Sequence, residues 1–477
     1  MNPEFNTVHF ETLGCKLNQI ESEAAAKAFS DNGFTVDVSP CTASVLENND
    51  VFLCIVNTCT VTAKAEQKAR RLIRLLLEKF PSAAILVTGC YAEVEPEQIL
   101  SINKRIAVLK GTEKEYLSKL PAIITQDAKL LDKKNPEQFA SFLNKLVKDI
   151  SPAELKKASF TLATDTFLSH SRASIKIQDG CNCSCAYCRI HIARGKSVSL
   201  PASEVLKRVK KLEEAGQCEV VITGVNLSQY CSNEAGIVMR FPDLMQFLLA
   251  GTKKIAFRIS SLYPDIVTDD FCLILANGRI RPHFHLSVQS GSDKILKSMK
   301  RPYKSNDVIE ASKKLRKIKP NCFIAADIIT GFPGETDEDF ELSMELTRKC
   351  EFSWVHVFPF SPRPGTEAYV MRPQVPQAIS GERAKLLTSL AIDQKRQFLE
   401  NSVGKQLKAI IEKRRTNEIR AVSENFIHLK ITDDKKHDFI SLGGKEVKVQ
   451  ISRILPVRSQ TESVEAEAFL VKDLGSL

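Results

Sequence analysis

The sequence predicts a multidomain α/β protein: an amino-terminal parallel α/β sheet, a partial barrel and a small β-barrel. Strand patterns alternate with helical patterns up to about residue 400, which is typical of parallel sheets covered by helices. Beyond that point, short β-like runs separated by turn residues indicate a small barrel. The 477 residues are too many for a single core. We expect segment boundaries at 1–125, 126–165, 166–400, 401–460 and 461–477.

The composition excludes several classes of protein. Hydrophobic residues make up 43% and charged residues 26% of the chain, and no apolar run reaches the roughly 20 residues of a membrane-spanning helix. The first ten residues lack a secretory pattern, so we expect a cytoplasmic protein without a membrane partner. The formal net charge of +10 allows binding to a polyanion without requiring it. In a reducing compartment, fourteen cysteines indicate metal ligands or buried thiols rather than disulfides.

The segment 1–125 contains three strand patterns that are each followed by a cysteine. These are Val8–Leu13 with Cys15, Val51–Val56 with Cys59, and Ala84–Thr88 with Cys90. Because the carboxyl ends of parallel strands meet at one edge of a sheet, we expect the three thiolates to converge there. Three thiolates can hold three irons of a [4Fe–4S] cluster. Three unrelated buried cysteines are the alternative reading.

The segments 126–165 and 166–400 differ in pattern. The first is lysine-rich with one helical stretch, Pro136–Lys148, and is predicted to be a linker or insertion. The second has six strand patterns with helical patterns between them, which predicts a partial (βα)₆ barrel that is open on one side. The strand patterns are Ala173–Gln178, Glu219–Thr223, Ile255–Ser260, Phe284–Gln289, Phe323–Ile329 and Trp354–Phe358.

A second group of cysteines follows the first barrel strand. Cys181, Cys185 and Cys188 have a C-x₃-C-x₂-C spacing, which can hold a [4Fe–4S] cluster with one iron left open. S-adenosylmethionine (SAM) can chelate such an iron through its amino and carboxylate groups. Tyr187 favours this interpretation, because an aromatic ring there can lie against adenine. A structural zinc loop with His191 as fourth ligand is the alternative.

The carboxyl-terminal segment has features of an RNA-binding surface. Lys413, Arg414 and Arg415 form a basic run, and Phe426 follows among further basic residues. Small β-barrels bind RNA through positive grooves and exposed aromatic rings. A basic run alone is more often a solvated face.

The cysteine motifs resemble those of a known family. The loop at 181–188 is similar to that of radical SAM enzymes, and the amino-terminal motifs are similar to the methylthiotransferase branch. Those motifs are Thr12-Leu-Gly-Cys15-Lys-Leu-Asn18, Asn57-Thr-Cys59 and Thr88-Gly-Cys90. The resemblance implies SAM and two [4Fe–4S] clusters, with the amino-terminal cluster carrying the sulfur that is transferred. The family often has proline where this chain has His191, which leaves the three cysteines intact.

Further segments at the predicted strand ends of the barrel are similar to the same family. They are Thr223-Gly-Val-Asn226, Arg258-Ile-Ser-Ser261, His285-Leu-Ser-Val-Gln289, Asp327-Ile-Ile-Thr-Gly and Phe358-Pro-Phe-Ser-Pro-Arg363. Gly224 could let SAM approach the backbone, and Ser260, Gln289 and Asp327 are candidate contacts to its amino acid or ribose. Ordinary turns and strand caps are the alternative. The carboxyl-terminal barrel resembles the TRAM domain that ends this family and binds RNA.

The resemblance also implies a reaction. The family has branches with different substrates. The motif with a lysine after Cys15 looks closest to the branch that converts N6-threonylcarbamoyladenosine at tRNA position 37 to its 2-methylthio derivative. The expected partners are tRNA and an electron donor such as flavodoxin or ferredoxin. Isopentenyladenosine in tRNA and a ribosomal protein are alternative substrates. A zinc-stabilised RNA-binding protein without enzymatic activity is the alternative from another class, and iron with acid-labile sulfide would exclude it.

Overall fold

A computed structural model gives the fold of most of the chain. It describes residues 6–126, 135–149, 160–164, 172–412, 418–432, 442–457 and 464–471. Within this part of the chain, no helix is both long and apolar enough to cross a bilayer. The predicted fold class is confirmed, because two parallel α/β units precede a closed five-stranded barrel.

The amino-terminal unit is a five-stranded parallel sheet in the order β2-β1-β3-β4-β5. Its strands are β1 Thr7–Thr12, β2 Thr35–Asp37, β3 Val51–Thr58, β4 Ala84–Gly89 and β5 Ile106–Val108. Its helices are α1 Lys16–Asp31, α2 Ala63–Lys79, α3 Cys90–Val94, α4 Pro96–Leu100 and α5 Leu120–Gln126. Strand β3 is buried along its whole length, as a central parallel strand covered on both faces should be.

The helix predicted inside the linker has the expected bounds but another role. Helix α6, Pro136–Lys148, packs against β4 and β5 of the amino-terminal sheet. Its apolar side chains Phe139, Ala140 and Leu143 are buried in the core of that unit. Residues 136–148 of the predicted linker or insertion therefore belong to the amino-terminal core, because the apolar face of α6 completes it.

The second unit is an open barrel of six parallel strands. Two sheets form it, β7-β6-β8-β11 and β12-β13-β14-β15, with β7 as an antiparallel edge strand. The third barrel strand is divided at Ser260, so that β11 pairs with β8 and β12 pairs with β13. The strands are β6 Ala173–Asp179, β7 Val198–Ser199, β8 Glu219–Gly224, β11 Ala256–Ile259, β12 Ser261–Leu262, β13 His283–Gln289, β14 Phe323–Thr330 and β15 Trp354–Pro359.

Helices cover the outside of the open barrel, and a hairpin of β9 Cys231–Glu234 and β10 Ile237–Arg240 follows β8. The helices are α7 Ile190–Arg194, α8 Ala202–Glu214, α9 Phe241–Gly251, α10 Asp269–Leu275, α11 Asp293–Ser298, α12 Ser305–Ile318, α13 Asp337–Cys350 and α14 Glu367–Val370. Successive side chains of β13 point to opposite faces of its sheet. Phe284, Leu286 and Val288 are fully buried in the main core, whereas His283 and His285 lie on the opposite face, which lines the barrel.

A long helix, α15 Gln377–Glu400, connects the open barrel to the carboxyl-terminal barrel. The closed barrel has the order β16-β17-β18-β20-β19. Its strands are β16 Gln406–Ile411, β17 Arg420–Ser423, β18 His428–Ile431, β19 Glu446–Ile454 and β20 Ala466–Leu470. The expectation that 461–477 is a tail is therefore wrong for β20, which closes the barrel by pairing with β18 and β19.

Candidate functional site

Cys15, Cys59 and Cys90 lie at one edge of the amino-terminal sheet. Cys15 caps the amino terminus of α1, Cys59 directly follows β3, and Cys90 begins α3 directly after β4. The strands β1, β3 and β4 are neighbours and run parallel, so their carboxyl ends meet. The predicted convergence follows from this order. We refer to these three residues as the amino-terminal triad.

Close backbone packing brings the loops of this triad together. Gly14 has a φ of +105°, and a Cβ there would lie 2.6 Å from Cβ and 3.1 Å from Sγ of Cys59. Only glycine combines this conformation with such a close approach. The buried Asn18 side-chain amide donates hydrogen bonds to Leu13 O at 2.8 Å and to Thr58 O at 3.0 Å. The loops before Cys15 and Cys59 are thus tied to each other.

The electrostatics of the amino-terminal triad suit an anionic metal group. Burial raises the pKa of the Cys59 thiol to about 11, and burial also raises the pKa of Cys90. Neighbouring thiols add to the rise, whereas the Arg194 guanidinium opposes it for both cysteines. Metal binding must displace these protons. A nearby guanidinium would then compensate the charge of the thiolates, so the residues fit an iron–sulfur cluster.

The second triad, Cys181, Cys185 and Cys188, lies on the loop after β6. The amide of Cys183 donates to Sγ of Cys181 at 3.4 Å, and the amide of Ile190 donates to Sγ of Cys188 at 3.4 Å. Hydrogen bonding with the Cys183 side chain lowers the pKa of Cys181 to about 7. Amide hydrogen bonds to sulfur are typical of thiolates that hold iron–sulfur clusters. We call these three residues the loop triad.

Arg301 supports the loop triad from the barrel side. Its Nη1 donates to Sγ of Cys185 at 3.3 Å and to the Tyr263 hydroxyl at 2.9 Å. Its guanidinium also lies 4.2 Å from the Tyr263 ring centroid, a stacked cation–π arrangement. Tyr187 is half-buried against Phe332, with ring centroids 6.4 Å apart at an edge-to-face angle. A contact between Tyr187 and adenine stays a prediction.

The ligands of a single metal ion must lie close together. In the described ranges, no three histidine, cysteine, aspartate or glutamate side chains are close enough to share one ion. Thiolates that hold a cubane are each bonded to a different iron and are therefore spread more widely than the ligands of one ion.

The two triads approach each other across the interface between the amino-terminal unit and the open barrel. Helix α3, which begins with Cys90, packs against α7, which follows Cys188. Arg194 at the end of α7 donates to Asn18 Oδ1 at 2.7 Å. Arg189, next to Cys188, donates to Glu95 at 3.0 Å. Residues within six positions of a triad cysteine are therefore in direct contact across the interface.

The residues predicted to contact SAM lie at strand ends or on the face that lines the barrel. A Cβ at Gly224 would lie 2.9 Å from Oε1 of Gln178, so the missing side chain makes room for Gln178. The Ser260 hydroxyl is buried and has no hydrogen-bond partner in the described part of the chain. Gln289 has a φ of +73°, an unusual conformation for a residue other than glycine. Contacts of these residues with SAM stay predictions.

Asp327 forms a polar row with His285 and Ser261. The sequence singled out Asp327 but did not predict the row. His285 Nε2 lies 3.1 Å from Asp327 Oδ1, and its Nδ1 lies 2.6 Å from the Ser261 hydroxyl. Burial lowers the pKa of His285, but Asp327 outweighs it, so the net pKa is raised. Burial lowers the pKa of the neighbouring His356 to about 4. The row could have been found from the polar residues that alternate with apolar ones in these strands.

The predicted RNA-binding residues are only partly described. Lys413, Arg414 and Arg415 lie outside the described residues. Phe426 is half-buried between the two barrels, where its ring centroid lies 4.2 Å from that of His283. The guanidinium of Arg258 lies 5.3 Å from the same ring. This packing gives Phe426 an intramolecular role, and its contact with RNA stays a prediction.

The open parallel barrel and its three-cysteine loop define a radical SAM enzyme. Residues 175–347 match the Radical SAM superfamily, and residues 7–111 match a family described as "Uncharacterized protein family UPF0004". SAM and a [4Fe–4S] cluster are the cofactors of this superfamily. The alternative of a non-enzymatic zinc protein is therefore wrong.

Similarity to curated proteins extends over nearly the whole chain. A threonylcarbamoyladenosine tRNA methylthiotransferase, MtaB, from Treponema pallidum is 41% identical over 93% of this chain and 98% of its own. The protein of the same name from Bacillus subtilis is 33% identical over 93% of each. A tRNA-2-methylthio-N(6)-dimethylallyladenosine synthase from Bartonella henselae is 31% identical over 85% of this chain and 86% of its own. The chain belongs to the methylthiotransferase family of radical SAM enzymes.

Proposed function

We propose that this protein converts N6-threonylcarbamoyladenosine at position 37 of tRNA to its 2-methylthio derivative. The observation that carries the proposal is the approach of two cysteine triads across one interface, joined through Arg194 and Asn18. Replacing an aromatic C–H bond by C–SCH₃ needs both hydrogen removal and a sulfur held close to the same carbon. The names of two relatives that each cover 93% of this chain support this substrate.

The two triads would divide the cofactors between them. Cys181, Cys185 and Cys188 would hold the cluster that binds SAM, and Cys15, Cys59 and Cys90 would hold a second [4Fe–4S] cluster. When bound, these groups supply a carbon radical from SAM and the sulfur for transfer. The sulfur of Cys185 accepts a hydrogen bond from Arg301, which offsets negative charge at the loop triad. Asn18 fixes the loops of the amino-terminal triad.

The remaining chain supports binding of tRNA. The closed carboxyl-terminal barrel has the architecture of small barrels that bind RNA, and the net charge of +10 favours a polyanionic partner. We place the reaction in the cytoplasm, where tRNA is modified, with a low-potential donor such as flavodoxin or ferredoxin as the source of electrons. The polar row Ser261, His285 and Asp327 lines the barrel and offers hydrogen bonds to a bound ligand.

The test is mass spectrometry of tRNA nucleosides from cells that lack the protein and have no second enzyme of this kind. Loss of 2-methylthio-N6-threonylcarbamoyladenosine is expected, with recovery by the wild-type gene but not by Cys59→Ala. Cys231→Ala is the matched control, because Cys231 is exposed and outside both triads. Loss of the methylthio derivative of isopentenyladenosine instead would transfer the assignment to that substrate. Unchanged nucleosides would overturn the proposal.

A further inference from the structure

A buried cluster of charges crosses the same interface close to both triads. The Glu66 carboxylate accepts hydrogen bonds from the Arg363 guanidinium and the Thr60 hydroxyl. Its Oε1 also lies 3.5 Å from Nη1 of Arg189, whose Nη2 donates to Glu95 at 3.0 Å. Thr60, Glu66 and Glu95 come from the amino-terminal unit, and Arg189 and Arg363 come from the open barrel. We call these five residues the Glu66 clamp.

The clamp contacts the residues next to the cysteine ligands. Thr60 directly follows Cys59, and Arg189 directly follows Cys188. The side chain of Arg363 donates to the Thr60 hydroxyl at 3.2 Å, which fixes the loop after Cys59 against the barrel. Movement of Glu66 or Arg363 would therefore displace Thr60, which is adjacent to the amino-terminal triad.

Stability alone is a poor reason for such a cluster. Thr60 is fully buried, and Glu66, Arg189 and Arg363 are each less than 10% exposed, so burying the three charges carries a large desolvation cost. Apolar residues of similar volume often give equal or greater stability. Apolar contacts, however, do not fix the orientation of the two units relative to each other. Hydrogen bonds from guanidinium groups fix the distance and angle between the partners. The cluster is therefore better suited to setting geometry than to adding stability.

We propose that the Glu66 clamp sets the gap between the two triads and thereby couples SAM cleavage to sulfur transfer. Glu66 acts as a positioning residue, since it contacts Thr60 and Arg189, which follow the cysteines in the sequence, and not the cysteines themselves. This inference rests on the proposed function. In a reaction between two held groups, a displacement of about 1 Å can lower the rate by roughly 100-fold. A wider gap should leave SAM cleavage intact, so that 5′-deoxyadenosine forms without methylthiolation of the nucleoside.

The first measurement is the ratio of 5′-deoxyadenosine to methylthiolated nucleoside formed by reconstituted protein with unmodified tRNA substrate. For Glu66→Gln and for the milder Thr60→Val, we expect the ratio to rise by about tenfold or more. The control is Glu78→Gln on the same helix, because Glu78 is 64% exposed and pairs only with Lys79 in the described contacts. A ratio equal to that of wild type in both clamp variants would overturn the inference.

The second measurement is hydrogen–deuterium exchange of the metal-free protein, which does not depend on activity. Faster exchange is expected in the peptides that contain residues 59–63 and 188–194, with unchanged exchange in β13 and β14. A uniform rise across the chain would assign Glu66 a general role in stability and would contradict the inference. If wild-type protein left tRNA unmodified, the proposed function would fail, while local exchange would still report on the clamp.

Discussion

The Arg194 guanidinium lies 3.1 Å from the Glu21 carboxylate, across the interface between the amino-terminal unit and the open barrel. Both side chains are almost completely buried. Three cations and three anions form the surrounding network, namely Lys114, Lys176 and Arg194 with Glu21, Glu115 and Asp179. Balanced charges make this burial tolerable. The network is close in sequence to both triads, because Asp179 precedes Cys181 by two residues and Glu21 is on the helix that Cys15 caps.

Removal of one member should therefore destabilise the protein strongly. We expect Glu21→Gln to lower the free energy of unfolding by roughly 3 kcal/mol, because three buried cations would then share two carboxylates. Denaturant unfolding followed by circular dichroism measures this change. Asp31→Asn is the control, since Asp31 is on the same helix, is 57% exposed and pairs with Lys27. An equal effect of both substitutions would contradict this account of the network.

The same network should make stability depend on pH in the acid range. Burial would raise the pKa of Glu21, but Arg194, Lys114 and Lys176 outweigh it and hold the pKa at about 2. Arginines likewise outweigh burial at Glu219 and hold its pKa at about 2. A depressed folded pKa contributes stability that is complete above the unfolded value of 4.5 and is lost as pH falls towards 2. The melting temperature should therefore decrease as the pH is lowered through this range. A constant melting temperature between pH 5 and about 3 would contradict the prediction.

The convergence of Cys15, Cys59 and Cys90 at one edge of the sheet could be predicted because it depends on local rules. Each of Cys15, Cys59 and Cys90 follows a strand, and parallel strands end at a common edge. The spacing of the loop triad is likewise visible within eight residues. The predicted bounds of α6 agree with the structure, since a strong periodic pattern defines them.

The contacts between units could not be predicted in the same way. Arg194 and Asn18 are 176 residues apart, and no periodic pattern in either segment indicates their pairing. Arg363 and Glu66 are 297 residues apart and are similarly invisible in the sequence. Strand β20 was not predicted, although it is longer than β17 and β18, and its pairing with β18 and β19 is what defines it. Such features depend on tertiary packing, which overrides local propensity.

Iron content should separate the two triads. Reconstituted wild-type protein is expected to bind about eight irons, and a variant with Cys15, Cys59 and Cys90 all changed to alanine about four. This variant should still cleave SAM, because its loop triad is intact, whereas Cys188→Ala should not cleave SAM. Iron and acid-labile sulfide analysis with Cys231→Ala as control makes the measurement. Equal iron content in wild type and the triple variant would refute the assignment of a second cluster.

Phe426 should connect the two barrels rather than act on RNA alone. Its ring packs against His283 and under the guanidinium groups of Arg172 and Arg258. We expect Phe426→Ala to lower the free energy of unfolding by roughly 2–3 kcal/mol, because a packed aromatic ring is lost. It should also expose the junction between α15 and β16 to limited proteolysis.

The control for this substitution is Phe469→Ala, whose side chain is 40% exposed on β20 of the same closed barrel. A change at Phe469 should leave the proteolytic pattern as in wild type. A reduced affinity of Phe426→Ala for tRNA without loss of stability would instead identify the ring as a direct RNA contact, as the sequence predicts. Measuring unfolding and tRNA binding on the same preparations therefore distinguishes packing between the barrels from stacking on a base.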